Sequence, residues 1–450
     1  MKKRNLLLFL HVIVSIAYAQ TNPAIYSWLR NTTVTGSYYT SGNSTAQSNG
    51  ILVNCQQVEY SANSVYVKTK GMPAYKVGPY LDGNPNQAGD QNAIFKFPLN
   101  PTKNTGTPTS TTMGNIGVFI NGVALFNYSD GVSWNNAQSK FCGGPIQCQG
   151  DGIWNRDAIV YEKSGFDCSK GHPAGTNYHH HQNPSAFKWD KTVISTICNL
   201  YDADALYAID ETKHSPLIGF AYDGFPIYGA YGYANTDGTG GIARMKSSYQ
   251  LRSITTRTTY ANGSTVTAGP AVSTTYPLGS FQEDYEYVAH PSDPTYLDEH
   301  NGRFCKTPEY PNGIYCYFAT VDANHNSTYP YAVGPTFYGV YANRKVTSIS
   351  EATTIYNGSS APIKDESFAS NLALTIHQNS ELLVVQYKGI VKRDIDIVMY
   401  AMDGKQVSAN KLYSGQTLSY IDLQALYEGT YIVRISDGTN TEVKKITVQR

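Results

Sequence analysis

At 450 residues the chain exceeds one typical hydrophobic core and leaves room for two or three domains. Charged residues make up only 15%, with Lys plus Arg and Asp plus Glu balanced at 34 each, which excludes the basic footprint of nucleic-acid binding. The 37 tyrosines and 39 glycines point instead to a mainly β, loop-rich protein with a surface made polar by Ser, Thr, Asn and Tyr.

The first residues read as an export signal. Lys2, Lys3 and Arg4 precede an apolar run from Leu6 to Ala17, short of the roughly 17–25 residues that span a bilayer. The run ends in Ala17-Tyr18-Ala19, the small-x-small pattern ahead of a signal-peptidase cut, so residues 1–19 are expected to be removed. No later stretch is apolar enough to cross a membrane, and the mature chain is expected to have no transmembrane segment.

Ile51 to Val67 alternates apolar and polar residues as a strand does, and Ile116 to Phe126 repeats this around Asn121-Gly122. The second stretch predicts a hairpin with a type I′ turn. Between them Gly78 to Asp90, rich in Pro, Gly and Asn, predicts a long loop. Helix is scarce, with short candidates at Lys191–Leu200 and Ala203–Asp210. Seven cysteines in an exported chain suggest disulfides with one left over. Proximity pairs Cys142 with Cys148, Cys305 with Cys316 across the turn at Pro311–Gly313, and Cys168 with Cys198, leaving Cys55 as the odd one.

The densest chemistry lies at the centre. His179, His180 and His181 follow His172-Pro173 at a short spacing. On a strand, period-2 geometry puts His179 and His181 on one face and His180 on the other. Two imidazoles on one face are a ready ligand pair, with His172 as a third, for zinc, copper, iron or nickel. The same residues would equally line a polar groove, and the sequence leaves both readings open. Asp223, and Glu299 beside Asp298, are candidate carboxylate ligands or bases. Asp223 also reads as a turn residue bonding its own backbone, and Glu299 as the ion-pair partner of Arg303. Tyr222, Tyr228, Tyr231 and Tyr233 are core packing or, if exposed, a platform for sugar rings.

Past Thr347 the character changes. Residues 348–365 are small and polar, as linkers are. Strands are then expected at Leu372–Ile376, Leu382–Tyr387, Ile395–Ala401, Gly429–Ile435 and Val443–Val448, with turns at Asp403-Gly404 and Asp437-Gly438. This pattern predicts a small antiparallel β-sandwich over residues 366–450, after a large irregular β domain over residues 20–347.

The residues Ile395 to Tyr400, Asp403 to Val407, Ile421-Asp422-Leu423 with Leu426, Gly429 to Val433 and Lys444-Lys445-Ile446 resemble the type A sorting domain of the type IX secretion system of Bacteroidota. The usual Asn-Pro opening is replaced by Ile376-His377-Gln378-Asn379. The resemblance implies an address read by the type IX machinery and removed, or exchanged for a surface anchor, after export.

Residues 26 to about 345 resemble the family named after its Tyr-His-Tyr-His motif. The residues that carry this are Gly117 to Val123, His172 to His181, Gly219 to Gly229, Leu297 to Arg303, Thr307 to Pro311 and Tyr329-Pro330-Tyr331. His180 stands where the motif has tyrosine, and Cys316 stands where the family has histidine, which opens a ligand role for Cys316 in place of a bridge.

Together these features predict a secreted or cell-surface protein that binds a divalent metal, zinc or copper, either as a binding protein or as a metalloenzyme. The alternative is a non-catalytic glycan-binding or adhesive surface protein. Gly-x-Ser-x-Gly, His-Glu-x-x-His and phosphate-binding loops are absent from the sequence.

Overall fold

The computed structural model describes residues 22–41, 45–80, 86–144, 146, 148–184, 209–357, 372–376, 382–387, 391, 394–413, 416–438 and 440–448. The expected signal peptide, Cys198 and the helix expected at Lys191–Leu200 lie outside the described residues, as does all but the end of Ala203–Asp210. The chain divides into two compact units, residues 1–360 and 361–450. Both are built mainly from strands.

The first unit centres on eight short strands: β1 (Asn115–Phe119), β2 (Ala124–Phe126), β3 (Gly171–Ala174), β4 (Asn177–His180), β5 (Leu217–Ala221), β6 (Pro226–Tyr228), β7 (Gly302–Cys305) and β8 (Ile314–Phe318). They lie in the order β3-β4-β2-β1-β5-β6-β8-β7. Most neighbours are antiparallel, but β4 runs parallel to β2 and β6 parallel to β8. Strand β5 is buried along its whole length, which is why its sequence is a continuous apolar run without alternation.

A second sheet orders Lys345–Val346, Ala93–Pro98, Ser64–Thr69, Cys55–Tyr60 and Thr354–Ile355 side by side. Ala93, Phe95 and Phe97 are buried on alternate positions of their strand, and they join Val58, Val67, Val118, Phe220, Ile227 and Phe318 in one core. Trp28 fits between the sheets, its ring 5.6 Å from Phe97 and 5.3 Å from Phe220. Each such side chain contributes roughly 1.5–3 kcal/mol on burial, before chain entropy is set against it. Residues 348–365, read from the sequence as linker, thus supply Thr354–Ile355 to this sheet, paired with Tyr60 and Glu59.

The β1–β2 hairpin forms where Asn121-Gly122 predicts it, but its turn is not type I′. That turn needs positive φ at both central residues, and only Gly122, at φ 79°, has it. Asn121 instead accepts the Val123 N–H at 3.1 Å. A Cβ on Gly122 would stand 2.2 Å from Thr69 Oγ1, so the close approach of the neighbouring sheet also requires glycine there.

The second unit is two antiparallel sheets. One orders Leu372–Ile376, Leu382–Tyr387 and Leu418–Asp422; the other Gln406–Leu412, Ile395–Ala401, Gly429–Ser436 and Thr441–Val448. Leu383, Val385, Ile421, Ile397, Met399, Val433 and Ile435 form the core. The strands Gln406–Leu412 and Leu418–Asp422 escape the alternation test, because the first buries only Leu412 and the second buries Ser419 while Tyr420 is 52% exposed.

Cys142 and Cys148 form a disulfide, with Cα atoms 5.0 Å apart. Cys168 is also disulfide-bonded, and Cys55 is a buried free thiol. The expected Cys305–Cys316 bridge is not formed, and both are buried free thiols. Register explains this: Cys305 lies opposite Ile314, and Cys316 opposite Arg303. The two cysteines are therefore diagonal neighbours, whose Cα atoms stand about 7–8 Å apart in such a ladder, beyond the usual reach of a disulfide. A hydrogen bond from Cys316 lowers the Cys305 thiol to about 7 against burial, with help from the Arg303 charge.

Candidate metal centre

Strands β3 and β4 are joined as a tight hairpin in which His172 lies directly opposite His179. His181 follows β4, two residues on, and so shares the face of His179. The period-2 expectation holds: the ligand atoms of His172, His179 and His181 all lie within 4.8 Å of one another. The His179 and His181 Nε2 atoms are 3.1 Å apart.

The backbone fixes which nitrogen faces the centre. His179 Nδ1 stands 2.9 Å from the Asn177 carbonyl and His181 Nδ1 2.6 Å from the Asn127 carbonyl. A carbonyl only accepts, so each Nδ1 carries a proton and each Nε2 is turned toward the centre, the orientation of metal-bound histidines. The Phe126 ring stacks on His179 at 3.8 Å, and Phe166 lies 4.8 Å from His172. These rings form an apolar wall. Burial, and then the neighbouring His181 and His172, hold the His179 pKa well below its ordinary value, so that ring is neutral at physiological pH.

A fourth donor, absent from the sequence expectations, comes from the one-turn helix Ala158–Glu162. Glu162 Oε2 lies 3.4 Å from His172 Nε2 and 3.3 Å from His181 Nε2. Burial raises this carboxyl, but hydrogen bonds from His172 and His181 outweigh it and hold the group below the usual carboxylate range. Asp157 caps the helix, accepting from Ile159 N at 2.8 Å and Val160 N at 3.4 Å. It also accepts the Tyr331 hydroxyl at 2.6 Å. Ala158 N donates to the Tyr128 carbonyl at 2.8 Å. Adjacent residues Asn127 and Tyr128 thus hold the two halves of the centre, one through His181 and one through the helix.

The opposite face of β4 is purely structural. His180 Nδ1 bonds the Lys170 carbonyl at 3.0 Å, and its Nε2 meets the Tyr75 hydroxyl at 2.5 Å. Burial pushes its pKa down to about 3. Tyr178 donates to Asp167 at 2.9 Å. The extra imidazole of this motif is a satisfied core residue that leaves the ligand face unchanged.

The other sequence candidates stand apart from the three histidines. Asp223 is buried in a turn, accepting from Phe225 N at 3.2 Å, Gly339 N at 2.8 Å and Tyr317 at 2.5 Å. This is the turn role, and Asp223 is not in the group formed by the three histidines. The Glu299 side chain is 58% exposed and lies 3.8 Å from His300 Nε2. Arg303 does not pair with it: its Nη atoms donate to the carbonyls of Ala234, Pro294 and Tyr233. Cys316 joins neither a bridge nor the histidine cluster among the described residues. Tyr222, Tyr228 and Tyr231 are buried and Tyr233 is half-buried, so the first three are core packing and offer no platform for sugar rings.

No helix among the described residues is long and apolar enough to cross a membrane. No curated protein matches the chain. Residues 379–449 match the secretion system C-terminal sorting domain, the tail by which type IX secretion machinery recognises cargo bound for the cell surface or the medium. Residues 94–330, more than half of the chain, match the YHYH protein family. The chain therefore belongs to the YHYH protein family and ends in a secretion system sorting domain.

Proposed function

We propose that the first unit is an exported metal-binding domain in which His172, His179, His181 and Glu162 hold one divalent transition-metal ion, zinc or copper. The sorting domain delivers it through the type IX machinery, after removal of the signal peptide at residues 1–19.

One observation carries this reading. Lone-pair donors converge at 3.1, 3.3 and 3.4 Å in a pocket walled by phenylalanine. Such donors repel unless a cation lies among them. A metal ion supplies that charge. Four ligands about 2.0–2.1 Å from a tetrahedral zinc are separated by roughly 3.3–3.4 Å, close to the His179–His181, His181–Glu162 and His172–Glu162 separations, and the three histidine ligand atoms all lie within 4.8 Å of one another. Three imidazoles and a carboxylate without thiolate suit zinc and copper(II), and copper is expected to win where both are supplied. The Nδ1 bonds to backbone carbonyls support the same reading, as they preset the rings for coordination.

Elemental analysis of the purified protein, before and after reconstitution, tests it. About one equivalent of metal is expected in the wild type and in Glu299→Ala, and almost none in a His179→Ala/His181→Ala double variant. A folded wild-type protein that retains no zinc, copper, iron or nickel after reconstitution would sink the proposal.

A further inference from the structure

We infer that Glu162 is an exchangeable ligand, and that the position it fills admits a small anion from solvent; this rests on the metal reading above. The four donors are not held alike. His179 and His181 are each pinned at Nδ1 by a backbone carbonyl, and the His181 side chain is 3% exposed. His172 has no Nδ1 partner among the described residues, but its side chain is only 8% exposed and sits edge-on against Phe166 at 4.8 Å. It is confined by packing.

Glu162 differs on each count. Its side chain is 23% exposed, so it forms the solvent side of the centre. Its carboxylate contacts among the described residues are the two imidazole nitrogens themselves, with no further group fixing its rotamer. It also occupies the last residue of a one-turn helix. Three confined imidazoles with one partly exposed, solvent-side carboxylate amount to a centre with one replaceable position, as catalytic metal sites have and closed structural sites lack. The ligand class is a small anion: hydroxide formed from water, a carboxylate, or an inorganic oxyanion. Exchange breaks the metal–carboxylate bond, forms a metal–anion bond and leaves Glu162 ionised in water beside the bound ligand, with no redox change; where the anion is hydroxide formed from water, the proton released passes to bulk solvent.

Cobalt(II)-loaded protein titrated with sodium azide provides the test, read from the visible absorption of cobalt and from metal content. In the wild type, azide should shift the spectrum saturably with one azide per cobalt. Glu162→Ala should keep about one cobalt and bind azide roughly tenfold more tightly, since no ligand has to leave, with Glu162→Gln intermediate. Two results would overturn the inference: cobalt bound at one equivalent with a spectrum azide does not move, or folded Glu162→Ala and Glu162→Gln proteins that both lose cobalt. If wild-type protein binds no cobalt at all, the metal reading fails first and this inference goes with it.

Discussion

His181 and Glu162 meet at 3.3 Å, Nε2 to Oε2, although one follows a strand and the other ends a helix. The contact places a negative charge at the open side of three imidazoles. It supplies the anionic donor that the sequence suggested Glu299 or Asp223 would provide.

Removing that charge should weaken metal binding without abolishing it. Glu162→Gln is expected to lower zinc affinity about 10–100-fold, the scale on which metal sites respond to partner loss, and His179→Ala by more. Competition with a chromophoric chelator measures both. Equal affinity in wild type and Glu162→Gln would exclude the carboxylate from the centre.

Asp157 holds the helix that carries Glu162, so its loss should register in both stability and metal binding. Asp157→Ala removes an N-cap, costing about 0.5–2 kcal/mol, and strands the buried Tyr331 hydroxyl at about 1–3 kcal/mol. Thermal unfolding should show a lower Tm, and the variant should bind zinc more weakly than wild type. An unchanged Tm would mean the cap does not support the helix.

His180→Tyr, which restores the residue expected of the motif, should leave metal stoichiometry at the wild-type value, because position 180 faces away from the ligands. The larger ring must fit where His180 is 1% exposed, so a cost of about 1–3 kcal/mol is expected from overpacking. Loss of metal from a folded His180→Tyr protein would assign His180 to the centre.

His214, remote from the cluster, gives a pH signature. Burial lowers its pKa to about 4, against a bond to the Ser215 carbonyl. The unfolded chain takes up this proton below 6.5, the folded chain only near 4, so the stability gained from the neutral ring is present above 6.5 and is lost as pH falls toward 4. The Tm of wild type relative to His214→Gln should therefore fall between pH 7.5 and pH 4.5. A difference that stays constant would show that His214 titrates alike in both states.

The legible part of this chain was whatever local periodicity or turn chemistry determines. The period-2 rule placed His179 and His181 on one face, and the short link from His172 brought it across the hairpin. The sandwich strands followed from their alternation, except Gln406–Leu412, which buries only its last residue, and Leu418–Asp422, where a buried Ser419 and an exposed Tyr420 invert the pattern. Register was not legible. Cys305 and Cys316 flank a turn, yet they pair diagonally. Nor was Glu162, since tertiary packing alone brings its helix to the hairpin and no spacing links it to the histidines. The one local signal was Asp157 ahead of Ala158-Ile159-Val160, an N-cap announcing a helix.

X-ray absorption at the metal edge of the zinc-loaded, exported form tests the central claim most directly. The account predicts a first shell of nitrogen and oxygen at about 2.0–2.1 Å, with the outer-shell scattering of three imidazoles that falls to one in His179→Ala/His181→Ala if any metal is retained. A sulfur shell at about 2.3 Å, or a spectrum without imidazole scattering, would contradict it and move the metal away from the histidine centre.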